Sequence, residues 1–402
     1  MADATREQKE FADHLDRLIL FRGFFDADRD GGALASRLIA LAERCGFDGD
    51  LWQAYLACAL LRHENPWSLA CEGRAEPDSS LSSLAARDME RILQAYRSGP
   101  PLVPELRDYR PAAPKSGAAR VVEELRAALD AAQTGADAAR ALAEAYRRHG
   151  VGVFALHRAF RAEADGSLAP VSDTGEPLSA LVGYEAQKAK LRANTEAFLA
   201  GRSANNVLLY GDAGTGKSTC VRALLAEYPD SLLRVIELPK DRLTALPLLA
   251  DRLGRRGCRF LLFLDDLSFE EDETAYKQLK ASIEGGLASL PENVRIYATS
   301  NRRHLVRETW KDRADMEHDA DIHRSDTMEE KLSLSARFGL RIYYPSPTFQ
   351  EYHAIVAELA NRRGADGAAL AQAASAWQVR QGSRSGRTAK QFVDDFLSKS
   401  DN

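Results

Sequence analysis

No stretch of the 402 residues approaches the roughly 20 consecutive apolar residues of a membrane-crossing helix, and MADATREQKEFADHLDRL at the N-terminus has no apolar centre like that of a secretory leader. The expectation is a soluble, cytoplasmic chain with no membrane contact. Cysteine is sparse: Cys45, Cys58, Cys71, Cys220 and Cys258 make no C-x-x-C pair and no finger-like spacing with histidine. That excludes a zinc ribbon or a disulfide scaffold and leaves reduced, mostly buried thiols. Basic charge is not in surplus either, with 54 Lys and Arg against 59 Asp and Glu and a net charge of −5. Such a balance argues against a surface given over to nucleic acid while leaving room for a local basic channel. No internal repeat is found.

Against these absences, a chain that is 45% hydrophobic at this length can bury two or three separate cores. From about 10 to 97 apolar residues recur at helical spacing: Phe11, Leu15, Leu18 and Ile19; then Leu51, Tyr55 and Leu56; then Met89, Ile92, Leu93 and Tyr96. Residues 98–117 concentrate Pro and Gly and read as a linker or a long surface connection. An Ala-rich helical hairpin follows, so residues 1–150 are expected to form a helical N-terminal region. Residues 151–180 are a turn-rich lead-in.

The rhythm then changes. NNVLLY (205–210), LRVIEL (233–238), RFLLFL (259–264), RIYATS (295–300) and LRIYY (340–344) are short apolar runs, most of them separated by helix-length segments. This pattern predicts an α/β fold over 181–346, a parallel sheet flanked by helices. From 347 to 402 the pattern is helical again, opening on a Thr348-x-x-Glu351 capping box and marking a small helical lid.

Gly211, Asp212, Ala213, Gly214, Thr215, Gly216, Lys217 and Ser218 match the phosphate-loop pattern G-x-x-x-x-G-K-[ST], followed by Thr219 and a helical run. The glycines let backbone N–H groups curl around phosphate oxygens, the helix N-terminus adds partial positive charge, Lys217 reaches the terminal phosphates and Ser218 can ligate magnesium. ATP and Mg2+ are the expected ligands.

Asp265 and Asp266 end the run RFLLFL, at the sheet edge where open α/β folds bind ligands. Asp265 suits the Walker-B role of holding magnesium, and Asp266 is placed to polarise an attacking water. Many P-loop ATPases carry glutamate at the second position, which reaches about 1.5 Å further. Three readings stay open: Asp266 acts with its backbone closer in, Glu270 or Glu271 substitutes, or Asp266 only caps the following turn.

The ordered set GYE (183–185), GDAGTGKST, LDDLSFEE, YATSNRRHL (297–305), LSLSARFG (332–339) and GRTAKQF (386–392) resembles an AAA+ ATPase. Over about residues 150–400 it is similar to the bacterial predicted-ATPase family classed as domain of unknown function 815. The resemblance implies that Asn301 is the sensor-1 residue and Arg337 an arginine finger acting on a neighbouring subunit. It implies that Arg387 is the lid's sensor-2 arginine, with Arg384 a competitor, and that Gly183 and Tyr184 line the adenine pocket. A finger acting in trans implies a homo-oligomer, for which a hexamer-like ring is the superfamily's usual form. The helical N-terminal region is expected to recognise an unidentified protein client. The Asp-Asp pair also resembles replication initiators, so a slow or non-hydrolysing ATP switch on DNA or a DNA-bound partner is the alternative. LPKDRLTALPLLADRLGRRG (238–257) has no aromatic residue, which weakens a mechanism that threads a client through a pore. The charged stretch after Asn301 includes Arg302, Arg303 and His304, which fit a surface basic cluster or a contact to a neighbour. It also includes His318, Asp319, Asp321 and His323, whose spacing matches no standard metal site.

Overall fold

The structure is a computed structural model and describes residues 17–22, 31–73, 76–99, 104–173, 175–268, 279–280, 282–283, 290–301, 334–381 and 384–400. They divide into two compact units, one reaching Arg158 and also taking in 230–232 and 256–258, the other taking the remainder from Ala159 onward. Among the described residues no helix is long and apolar enough to cross a membrane.

The first unit is helical: α1 (Gly31–Cys45), α2 (Leu51–Arg62), α3 (Pro66–Glu72), α4 (Ser79–Ser98), α5 (Gly117–Ala131) and α6 (Gly135–His149). Side chains cap the starts of α2 to α6: Asp50, Asn65, Asp78, Ser116 and Thr134 each accept a backbone N–H from the first turn. Each such cap stabilises its helix by about 1 kcal/mol. The apolar faces meet in one core that includes Trp52, Leu56, Met89, Ile92, Leu125 and Tyr146. The polar tips buried there are satisfied, with Trp52 Nε1 donating to Ala95 O at 2.9 Å and Tyr146 OH to Leu60 O at 2.7 Å.

Of the helical face Phe11, Leu15, Leu18 and Ile19, the first two lie outside the described residues, and Leu18 and Ile19 sit in a stretch, 17–22, that forms turns. Asp88, 1% exposed on α4, draws three successive N–H groups onto Oδ2: Ile19 at 2.9 Å, Leu20 at 2.7 Å and Phe21 at 3.3 Å. A distant carboxylate thus takes N–H groups that a helix would have used, and local periodicity carries no sign of it. In the 98–117 connection, Gly49 and Tyr109 exchange backbone hydrogen bonds at 2.9 and 3.0 Å. Beside them lies a cleft of about 690 Å³ lined by Asp48, Tyr109, Lys115 and Arg126.

The second unit is built on a seven-stranded sheet of β1 (Ala159–Ala162), β2 (Leu168–Pro170), β3 (Val207–Gly211), β4 (Leu233–Glu237), β5 (Arg259–Leu264), β6 (Val294–Ser300) and β7 (Leu340–Tyr344), ordered β2-β1-β4-β5-β6-β3-β7. All neighbours are parallel except β1 with β2. The central strands are buried on both faces, as continuous apolar runs require, whereas β7 at the edge alternates. The five runs read from sequence are β3 to β7. The hairpin β1–β2 went unread because strands of four and three residues carry no usable period; pairing with β4 holds them in place.

Helices α7 (Glu185–Leu199), α8 (Lys217–Glu227) and α9 (Leu246–Gly254) belong to the sheet domain. Helices α10 (Phe349–Asn361), α11 (Gly367–Gln381) and α12 (Gly386–Ser400) form the lid around Tyr352, Val356, Leu370, Ala374 and Phe392. The Thr348–Glu351 capping box opens α10 as read from sequence. The second unit is therefore an α/β P-loop fold with a C-terminal helical lid.

Asp88→Ala would leave three N–H groups without their acceptor. It is expected to cost the first unit about 2–3 kcal/mol, read as a lowered urea midpoint at unchanged slope.

Candidate functional site

Because β3 to β7 are parallel, all five release their C-terminal ends at one edge of the sheet. Chain order breaks there: β6 lies between β3, which carries the phosphate loop, and β5, which carries the aspartates. Such a switch point opens a crevice outside the strand ends. It sets Asn301, just past β6, between Lys217 and Asp266.

The loop leaves β3 at Gly211, where a Cβ would stand 2.1 Å from Tyr344 O, so the strand pair closes only on glycine. Thr215 Oγ1 donates to Asp212 O at 2.9 Å, folding the loop on itself. Lys217 is buried and places its three protons on Gly211 O at 2.9 Å, Asp212 O at 2.7 Å and Asn301 Oδ1 at 3.0 Å. Burial pulls the ammonium below its ordinary value, and the carboxylates of Asp212, Asp266 and Asp265 work the other way.

Asp265 Oδ1 accepts two hydroxyls, Ser218 Oγ at 2.5 Å and Thr299 Oγ1 at 2.7 Å, while Oδ2 accepts from Arg222 at 3.1 Å. Thr299 also receives the N–H of Asp266 on its Oγ1 at 2.9 Å and that of Leu267 on its carbonyl at 2.7 Å. Asp266 thereby adopts φ 52°, a left-handed conformation that Asp and Asn tolerate better than most side chains. Its Oδ1 accepts from Asn301 Nδ2 at 2.8 Å. One end of the Asn301 amide faces an ammonium and the other a carboxylate, which fixes its orientation.

The lid meets the loop at Gly214. Arg387 N donates to Gly214 O at 3.3 Å, and with φ 76° a Cβ on Gly214 would lie 2.8 Å from Ser385 Oγ. The Arg387 side chain is exposed and close enough to lower the Lys217 pKa; Arg384 is also exposed, before the start of α12. Asp212 Oδ2 accepts from Ser346 N at 2.8 Å and Ser346 Oγ at 2.7 Å, tying the loop to the β7–α10 connection, and those bonds hold its carboxyl below the usual range. Tyr184, at φ 59° after Gly183 and before α7, packs on Tyr344 with ring centroids 5.1 Å apart and donates to Pro345 O at 2.7 Å. Ala213 and Thr219 are exposed at the loop surface and on the first turn of α8.

Arg337 is not part of this cluster. It closes the helical turn 334–337 before β7, and β7 pairs its far end, Tyr344, with Gly211. The length of β7 alone puts Arg337 roughly 15 Å or more from the phosphate loop of its own chain. Glu270, Glu271, Arg302, Arg303, His304 and the group from His318 to His323 lie outside the described residues.

Sequence reasoning passed over Thr299, Ser346 and Arg222. Arg222 alone left a local signal, standing four residues after Ser218 and so on the same face of α8. Thr299 and Ser346 act through tertiary contacts.

Sheet order, phosphate loop and three-helix lid together define a P-loop protein of the AAA+ type. The chain belongs to the family described as Protein of unknown function (DUF815), whose family model matches residues 155–400. Among solved structures, the Thermotoga maritima RuvB Holliday junction branch migration motor is 16% identical with a TM-score of 0.33, covering 55% of this chain and 72% of its own. A point mutant of the same Thermotoga maritima RuvB is 17% identical with a TM-score of 0.34, covering 55% and 72%. The search of curated proteins gave no match.

Gly214→Ala is expected to lift Ser385 and Arg387 off the loop, seen as faster amide exchange at the start of α12. For Asp212 the depressed carboxyl contributes stability that is present above its unfolded value, about 3.9, and lost as pH falls through the lower folded value. Exchange at the Ser346 amide is therefore expected to stay slow down to about pH 4 and quicken below it; in Asp212→Ala it is expected to be fast at neutral pH.

Proposed function

We propose that the chain binds ATP with magnesium and hydrolyses it at the interface between copies of itself, coupling nucleotide state to a client held by the N-terminal helical region. The observation that carries this reading is the hydrogen-bonded run Lys217–Asn301–Asp266 beside the Ser218–Asp265 pair. A phosphate-seeking cation, a polar amide and two carboxylates converge at the mouth of one anion-binding loop.

Ser218 and Asp265 fit magnesium: their donors are hard oxygens with one carboxylate, the sparse set that leaves room for phosphate oxygens and water. Among the described residues no group of three His, Cys, Asp or Glu could hold a metal by itself, so nucleotide oxygens complete the set in this reading. When bound, magnesium neutralises and polarises the phosphate oxygens. Lys217 neutralises the terminal phosphates after exchanging Asn301 for a phosphate oxygen. Asp266 accepts a proton from the attacking water, and Asn301, freed from Lys217, helps orient that water. A left-handed backbone that Asp tolerates and a carboxylate facing Asn301 support this role for the shorter side chain. Arg387 follows the lid onto the nucleotide, and Gly183 and Tyr184 border the base.

Arg337 serves the neighbouring copy, since the length of β7 separates it from its own loop. Segment 238–257 does not suit a pore loop that grips a client. Besides lacking aromatics, it is pinned to the β1–β2 hairpin by Arg242 Nη1 to Ala162 O at 2.6 Å and Arg252 Nη1 to Gly166 O at 2.9 Å. A second reading, an ATP-controlled switch with little turnover, draws on Lys217, whose protons are all engaged within the protein.

The test is steady-state ATP turnover with magnesium over a range of protein concentrations. Specific activity is expected to rise with concentration, and Asp266→Asn and Arg337→Ala each to lower it about a hundredfold or more. Mixing inactive Lys217→Ala with inactive Arg337→Ala is expected to restore part of the activity, because one supplies the finger and the other an intact site. Tight ATP binding with turnover that none of these variants changes would favour the switch.

A further inference from the structure

Arg222 belongs to none of the motifs above, yet it touches the metal-binding carboxylate. Its Nη2 donates to Asp265 Oδ2 at 3.1 Å and stands 3.9 Å from Oε2 of Glu237, the residue that ends β4. The guanidinium lies 5.6 Å from the centroid of the Phe263 ring, and the side chain is 54% exposed, free to pivot without disturbing the core. Asp265 does not depend on it for position, because Ser218 and Thr299 hold the opposite oxygen.

We propose that Arg222 is a displaceable counter-ion for Asp265: it neutralises the carboxylate while the metal is away and swings to Glu237 when a divalent cation arrives, so that the Arg222–Glu237 pair sets how much magnesium the site needs. The inference rests on the metal-nucleotide reading of the same site. A guanidinium and a divalent cation drawing on one carboxylate repel each other, and this cost is relieved where a second carboxylate lies within reach of the same nitrogen. Register places Glu237 there, as the β4 neighbour of Phe263 and two residues short of Asp265 along β5.

The sign of the effect separates this role from a structural one. A guanidinium that merely propped Asp265 would, once removed, leave the metal bound more weakly. A competing counter-ion, once removed, leaves it bound more tightly. The experiment uses the full chain with a fluorescent ATP analogue and follows its binding as magnesium, and separately manganese, is titrated into wild type, Arg222→Gln and Glu237→Gln. Circular dichroism checks that each variant is folded.

The half-saturating metal concentration is expected to fall about three- to tenfold in Arg222→Gln and to rise by a similar factor in Glu237→Gln, where the guanidinium has lost its second carboxylate. An unchanged or higher metal requirement in Arg222→Gln, with the analogue still bound, overturns the counter-ion alone. Failure of the analogue to bind wild type with or without metal overturns the nucleotide reading and takes this inference with it.

Discussion

The site depends on one oxygen atom. Asp265 Oδ1 accepts the hydroxyls of Ser218 and Thr299 together, and so joins the end of β5, the start of α8 and the end of β6 at a single point. A charged acceptor shared by two hydroxyls is strong and directional. Everything downstream inherits that position. Thr299 holds the backbone of Asp266 and Leu267, the chain turns left-handed at Asp266, and the Asp266 carboxylate comes to face Asn301. Lys217 then reaches Asn301 from the other side. Sheet pairing already sets β3, β5 and β6 in register; the shared oxygen ties the start of α8 to their ends.

The same economy links the phosphate loop to the lid. Asp212 binds Ser346 in the connection that leads to α10, Gly214 carries Ser385 and Arg387 at the start of α12, and Tyr184 binds Pro345 beside Tyr344. The loop thus touches the lid's attachment and one of its helices at once. In the proposed mechanism, phosphates entering the loop disturb these contacts directly, and no longer route is needed to tell the lid that nucleotide is present. Because Gly214 leaves no room for a side chain, the contact is close and sensitive to small shifts of the loop.

The internal saturation of Lys217 gives the resting site a defined state. Its protons are placed on two loop carbonyls and on Asn301, so the ammonium is buried and satisfied before any phosphate arrives. Exchanging the Asn301 amide for a phosphate oxygen frees that amide, which still holds Asp266. Nucleotide entry and the release of the sensor residue are then one event in the proposed scheme, and loop, sensor and second aspartate respond together.

The sequence by itself determined the elements with strong local signals: the phosphate loop between an apolar strand and a helix, the aspartates at a strand end, the five strands β3 to β7 and the capped lid helix. These are legible because spacing, glycine placement and capping act over a few residues. Only the tertiary structure decided that β6 stands between β3 and β5, that Thr299 clamps Asp265, that Asp88 turns residues 17–22 away from a helix and that the β1–β2 hairpin extends the sheet. Each of these depends on partners tens of residues away, and such contacts are set by packing and long-range hydrogen bonds, which leave no periodic trace along the chain. For the same reason Arg337 reads from the motif as a finger, while only strand direction separates it from its own phosphate loop.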